Sequence, residues 1–519
     1  MRIDHRTTLA TAPIGFRARL ATPLFLFLLL LAAPSAHADA PAGEPDAPTD
    51  RELWYVLTIG DERVGNMVSR TSVLDDGDLL TESNLEMRIN RLGAEVAFDV
   101  RTGFRETPDG EPVEMRVSQN FGGVALRQRF MFESRTRVRV LTRQFGSVNT
   151  EIRTIAGDWL TPAAAARFVS DRLQAGADEF SYSSIDPTAG AEPITITTRV
   201  EDRDTAVEVF GRSVPAVRTR SSISLLDGVE SVEHLSPAGE MLRTEIDMGG
   251  LTVAVLAADK ALATSEFDAP ELMARSFVAP VGEMPRPRET ARVVYTLRST
   301  TGDLREPPSA GRQRTDLIGP AAARVTVRTD AEPLPDPAAA DDPAYTNPSP
   351  IIDADDPAVA LLAEDVRAAH PDAAPAELAR AAERRVATHL RSKNLSVGFA
   401  TASEAVRTRE GDCTEHAVLL AALLRAVDIP ARTVSGLVFV DQWRGAEDVF
   451  SYHMWTQALI PTDAGPAWID LDAAVLSDDA SRIALSASAF EHDDTFNALL
   501  PMIETMNALE ITIESVEHR

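Results

Sequence analysis

Cysteine is almost missing from this sequence, with Cys413 alone among 519 residues. That excludes a disulfide-stapled scaffold and a cysteine-built structural zinc module. Lysine is nearly as scarce. Lys260 and Lys393 are the only lysines among 51 basic side chains, and arginine supplies the rest. A GC-rich coding composition explains this more simply than an amine-handling enzyme that spares its own lysines. Positive charge is outnumbered, 51 basic groups facing 79 acidic ones for a net charge of −28. The average field therefore repels phosphate and argues against a broad nucleic-acid-binding surface, although a local site can oppose it. Long apolar runs are also lacking beyond the N-terminal region. The apolar fraction, 44%, is nevertheless that of a folded chain, and the length suits several domains.

The first 38 residues read as a targeting segment. Arg2, Arg6, Arg17 and Arg19 precede the apolar run Leu20 to Ala33, and Ala36-His37-Ala38 offers small residues where a signal peptidase cleaves. The run is short for a bilayer span, and no lipidatable cysteine follows it. An uncleaved N-terminal anchor is the alternative. Cleavage after Ala38 removes four Arg and one Asp, taking the net charge from −28 to −31. The expectation is a periplasmic or secreted protein with no stable membrane span after cleavage.

Residues 39–50 form an Ala/Pro/Asp linker, and residues 51–265 a β-rich domain interrupted by one helix. Leu85, Met87 and Ile89 alternate with Glu86, Arg88 and Asn90, and Val96, Phe98 and Val100 with Ala97, Asp99 and Arg101. Period-two alternation predicts strands with one buried face, as in a meander or partly closed barrel. Thr161 as N-cap, Pro162 at the first turn and Gly176 past the end frame the helix. By pattern alone this region resembles the half-barrel domains of bacterial envelope proteins, and no motif in it carries chemistry. A short β segment spans 290–330. Six prolines from Pro333 to Pro350 then make 331–350 a stiff linker and the main boundary. Beyond it, Ala358 to Ala369 and Ala376 to Leu390 predict two helices. Asp353, Asp355 and Asp356 lack the glycine and terminal glutamate of a calcium loop and read better as helix N-terminal acids.

The chemistry concentrates around the one cysteine. Gly411-Asp412-Cys413-Thr414-Glu415-His416 runs into Ala417-Val418-Leu419-Leu420, a strong helix former. Gly411 permits a tight entry and Asp412 caps, so Cys413 falls in the first turn, where free N–H groups and the macrodipole favour a thiolate. Further on, His453 in Ser451-Tyr452-His453-Met454-Trp455 and the Trp468-Ile469-Asp470-Leu471-Asp472 segment read as neighbouring strands. Packed against the helix, they would bring an imidazole to the thiol and a carboxylate behind it. Taken singly, each residue has a plainer reading: a buried small hydrophobe, a strand histidine, a strand-end turn aspartate. His416 reads as a structural hydrogen-bonder, Glu415 as a first-turn acid, and Trp455 and Trp468 as packing around the site, with Trp455 a candidate wall.

Together, G-D-C-T-E-H-A at 411–417, L-L-R-A-x-x-I-P-A-R at 423–432, H-x-W at 453–455 and W-x-x-x-D at 468–472 resemble the transglutaminase-like superfamily, whose fold is related to papain-type proteases. The resemblance implies an α+β domain over 351–519, following the N-terminal antiparallel half-barrel-like region. It also implies a catalytic Cys413, His453 and Asp472. Asp428 stands where the family has Gly, and Ala473-Ala474 where Pro-Thr is common. Asp470, on the same strand face, rivals Asp472 by periodicity, and spacing from Trp468 favours Asp472. The implied function is acyl transfer on amide bonds through a Cys413 thioester, peptidase or amidase ahead of protein cross-linking. A non-catalytic envelope scaffold is the competing class. No cofactor or metal is called for, and the expected partner is a protein or peptide substrate in the envelope or outside. The acidic balance makes an arginine-rich or neutral substrate the easier one to approach.

Overall fold

The computed structural model describes residues 51–519 apart from 92–93, 122–123, 145–146, 187–189, 210, 225–228, 248–251, 272–275, 393–399, 444 and 491–504. The expected signal peptide and the 39–50 linker lie outside the described residues.

Fourteen strands build one antiparallel sheet. They are β1 (Arg51–Ile59), β2 (Glu62–Val73), β3 (Leu79–Arg91), β4 (Ala94–Glu106), β5 (Pro112–Phe121), β6 (Val124–Ser134), β7 (Arg137–Gln144) and β8 (Ser147–Thr154), then β9 (Glu179–Ile185), β10 (Pro193–Val209), β11 (Arg212–Ile223), β12 (Glu230–Leu235), β13 (Met241–Asp247) and β14 (Thr252–Ala258). Their order, β8-β7-β6-β5-β4-β3-β2-β1-β14-β13-β12-β11-β10-β9, leaves β8 and β9 as edges, so the sheet is not closed. The alternation sets which face is dry: Leu85 and Met87 are buried and Glu86 exposed, as are Met115 and Val117 around Arg116.

Helix α1 (Pro162–Gln174) lies between β8 and β9 in sequence, and its Leu173 joins the core of Tyr55, Leu57 and Val255. Thr161 holds the expected N-cap position, but its side chain makes no capping bond to the helix. Its hydroxyl donates to Glu106 Oε1 (2.8 Å), and Glu106 Oε2 accepts from the Ala163 N–H (3.1 Å). A carboxylate from β4 thus serves the helix's free donors across 57 residues of sequence. A short helix, α2 (Lys260–Ala263), follows β14.

The 290–330 segment contributes β15 (Thr290–Ser299), β16 (Gln313–Gly319) and β17 (Ala322–Arg328). A fourth strand, β22 (Leu509–His518), completes the sheet in the order β16-β17-β15-β22. Three strands alone could not cover their apolar face. Val293, Tyr295 and Val325 therefore share a core with Ile511 and with Phe439 and Phe450 of the next sheet. The proline-rich stretch, expected to act as a linker, lies packed against that next sheet. It holds two 3-10 turns, Pro337–Ala340 and Pro343–Tyr345, and Asp336 accepts from Trp468 Nε1 (2.9 Å). The prolines prevent ladders, and they present side chains that pack.

Helices α3 (Pro357–Ala369), α4 (Pro375–His389), α5 (Ala402–Thr408) and α6 (Cys413–Ala426) come next, with β18 (Ala431–Trp443), β19 (Ala446–Ile460), β20 (Ala467–Leu471) and β21 (Arg482–Ser488) in the order β20-β19-β18-β21. Helix α6 is buried from Glu415 to Arg425. The early aspartates brace helices: Asp356 caps α3 through the Ala358 N–H and pairs with Arg407, and Asp353 accepts from the Ser403 N–H of α5. Burial pushes Asp353 up to about 7. Among the described residues no helix is long and apolar enough to cross a membrane. Because β22 completes the core, Ile511→Ala should cost about 2–5 kcal/mol, read as a lowered urea midpoint.

Candidate active site

Three elements converge on Cys413. It opens α6 as a free, half-buried thiol. Asp412 accepts from the Thr414 N–H (2.9 Å), while Glu415 Oε2 accepts from the Asp412 N–H (2.8 Å), a reciprocal cap that fixes the helix start. Glu415 is more than a first-turn acid. It is fully buried, and its other oxygen accepts from the Ala400 N–H (3.1 Å), tying the loop before α5 to the site. Burial, reinforced by Asp412, raises its carboxyl well above the ordinary range. Gly411 is dictated by this packing, because a Cβ there would lie 2.3 Å from the Glu415 Cβ. His416 donates from Nδ1 to the Asp412 carbonyl (2.7 Å).

The motif residues after α6 hold its far end. Arg425 donates to the carbonyls of Ala431, Asn347 and Ala489. Asp428, the departure from glycine, sits at φ 63° in the left-handed region, which explains the family's glycine. Asp is among the few residues that adopt this conformation readily, and its carboxylate pairs with Arg367 (2.7 Å).

His453 lies on β19 with Gly436 of β18 opposite, where a Cβ would come 2.8 Å from the Trp455 ring. Its Nε2 donates to Asp472 Oδ2 at 2.8 Å, leaving Nδ1 for the thiol side. Asp472 follows β20. Its Oδ1 accepts the N–H groups of Ala474 and Val475 (3.1 Å each), and Arg482 Nη1 reaches Oδ2 at 3.4 Å. Position along the strand gives the two aspartates different partners: Asp470 accepts from Trp455 Nε1 (2.7 Å) and Gln457 Nε2 (3.0 Å), and of the two Asp472 meets the imidazole. Trp455 in turn stacks nearly parallel to His453, with centroids 6.3 Å apart. Trp468 packs away from the site, under Arg432 and against Tyr345.

Burial works against the His453 imidazolium, but Asp472, by charge and hydrogen bond, and then Cys413 outweigh it and lift the group to about 10. Burial likewise works against the Asp472 charge, and His453, Arg482 and the Val475 N–H hold it well below the usual carboxylate range. Two partners escaped sequence reasoning. Arg482, buried at the start of β21, also donates to Ser477 (2.7 Å) and lies over Trp455 at 5.5 Å. Glu383 of α4 accepts the Asp472 N–H at 2.7 Å. An arginine opening the apolar run Ile483-Ala484-Leu485 was the one available signal. Among the described residues no group of three or more His, Cys, Asp or Glu stands placed to hold a metal ion.

Residues 361–473 match the model of the transglutaminase-like superfamily, and Cys413, His453 and Asp472 all fall inside the match. The chain carries a transglutaminase-like domain in its C-terminal third. It is also similar, at 14% identity and TM-score 0.32, to a β-barrel-like protein of a domain of unknown function from Brucella abortus, covering 41% of this chain and 96% of that one. The periplasmic domain of TgpA from Pseudomonas aeruginosa, bound to ethylmercury, is similar at 18% identity and TM-score 0.25, covering 39% and 92%. No curated protein matches the sequence.

Gly411→Ala should open the reciprocal cap and cost about 1–3 kcal/mol through overpacking, with slowed alkylation of Cys413 as the second readout. Arg482→Met leaves the buried Asp472 one cation short. It should destabilise by about 3–5 kcal/mol and move the alkaline titration of His453, followed by NMR, to higher pH.

Proposed function

We propose that the chain is an exported cysteine-dependent acyl-transfer enzyme that hydrolyses amide bonds, a peptidase or amidase acting on protein or peptide substrates outside the cytoplasm. The observation that carries this reading is the imidazole of His453, bonded through Nε2 to a buried, ionised Asp472 and leaving Nδ1 for a thiol at a helix start. In this reading the Cys413 thiolate attacks the amide carbonyl. The backbone N–H of Cys413, in the first turn and without an intrahelical acceptor, donates to the developing oxyanion. The imidazolium gives its proton to the leaving amine, and a thioester remains. Neutral His453 then takes a proton from water, hydroxide adds to the thioester, and the acid leaves as the thiolate is restored. Asp472 keeps the tautomer and supports the imidazolium throughout. The family match supports the chemistry, and the Arg-rich leader with its Ala36-His37-Ala38 site supports export.

Iodoacetamide labelling tests the ion pair. Cys413 should react rapidly below pH 7 and slow sharply in His453→Ala. Labelling no faster than that of a free thiol would sink the reading. On amide substrates found by library profiling, Cys413→Ala should be inactive, and Asp472→Asn should lose on the order of 10³–10⁴-fold in turnover.

The raised His453 value also fixes the sign of a stability effect. Folding lifts the group from 6.5 to about 10, so its contribution is full below about 6.5 and disappears as pH climbs toward 10. The urea midpoint should fall across that window in the native chain, and the fall should be absent in His453→Gln.

A further inference from the structure

The exposed face of β4 to β7 concentrates arginine in an otherwise acidic chain. A groove of about 410 Å³ there is lined by Arg101, Arg116, Arg127, Arg129 and Arg143, with Glu82 as its single acid. Three of the five have carboxylate partners: Arg101 pairs with Asp99, and Arg116 and Arg129 share Glu114. Arg127 and Arg143 have neither a side-chain hydrogen bond nor an ion pair among the described residues. They are cross-strand partners in register, both exposed, with Ser118 and then Arg101 continuing the same rung. Directly opposed side chains stand roughly 5 Å apart at Cβ, and like charges so placed destabilise a ladder. The fold keeps this pair where an acid on either strand would relieve it.

The surplus is two positive charges at one spot once Glu82, Asp99 and Glu114 are set against the five arginines. A carboxylate would neutralise half of that. A phosphomonoester, close to a dianion near neutral pH with three acceptor oxygens, matches both guanidinium forks. What adjoins the pair is apolar. Val148 lies in register beside Arg143 on edge strand β8 and is 60% exposed, and Ile152, four residues further along the same face and opposite Arg139, is 48% exposed. Paired guanidinium groups with an apolar margin at a free sheet edge suit a headgroup still attached to its acyl chains better than a phosphate in solution.

We propose that this groove docks a lipid surface bearing phosphomonoester headgroups. The site stands apart from Cys413 in sequence and sheet, and does not rest on the proposed catalysis. A chain of net charge −28 should be repelled by anionic vesicles, so attachment demands a local site.

The test uses the full mature chain and phosphatidylcholine vesicles with or without phosphatidic acid. Co-sedimentation should appear only with phosphatidic acid and fade as salt is added. The double variant Arg127→Gln/Arg143→Gln should weaken it by about tenfold or more, and Arg298→Gln, an exposed arginine on another sheet, should leave it unchanged. The double variant should unfold at an equal or higher urea concentration, since a like-charge pair has gone, so lost binding will not reflect misfolding. Failure of the native chain to sediment overturns the proposal, as does sedimentation indifferent to the two arginines. Saturable binding of inorganic phosphate without sedimentation assigns the groove to a soluble ligand, and binding of polyglutamate without sedimentation assigns it to an acidic protein. Either result overturns the lipid assignment.

Discussion

An ionised carboxylate held away from water needs its charge answered from every side, and the arrangement around Asp472 follows from that requirement. Its oxygens are met by an imidazole from the adjacent strand, a guanidinium from β21 and two N–H groups of the turn that follows β20. Its own N–H is taken by Glu383 from a helix on the layer above. Each partner belongs to a different element, so the four strands and α4 can adopt only the register that delivers all of them together. The same demand orders the neighbouring side chains. Trp455 stands beside the imidazole because Asp470 anchors its indole N–H, and the ring needs the space that Gly436 leaves by having no Cβ.

At the thiol the constraint is geometric. A helix that begins inside the protein must satisfy its first donors locally, and the Asp412–Glu415 exchange does so within one turn. Glu415 lies so close to the backbone four residues earlier that only glycine fits at 411, which makes Gly-Asp-Cys-x-Glu a packing solution as much as a chemical motif. At the other end the chain must turn left-handed. Asp428 achieves this without glycine, at φ 63°.

What could be read beforehand was local. Alternating apolar residues marked the strands, the Ala-rich stretches marked α3 and α4, and the order of the cysteine, histidine and tryptophan–aspartate motifs placed three side chains on three elements. Long-range partners left little trace in the sequence. Glu106 capping α1, Glu383 on Asp472 and the return of β22 to β15 join residues 57, 89 and more than 200 positions apart, and no periodicity encodes such pairings. Asp470 and Asp472 shared a face by alternation, and their separation needed the end of β20, because the difference lies in reach along the strand. Arginine on the exposed face of β4 to β7 fits the wet side of an alternating strand, and only the cross-strand register sets two of them opposite each other.

The pairing of β15 with β22 has a further consequence. Arg292 and Glu517 are 225 residues apart and meet across that ladder, so everything between them is a loop closed at its base by main-chain hydrogen bonds. Closing a loop of that size is entropically costly and belongs late in folding, after the helices and the β18–β19 hairpin have formed on local contacts. Once shut, the clasp makes the domain tolerant of a break. A backbone cut in a surface loop between the two strands leaves fragments that share a sheet and a core, and both remain attached until the clasp itself opens.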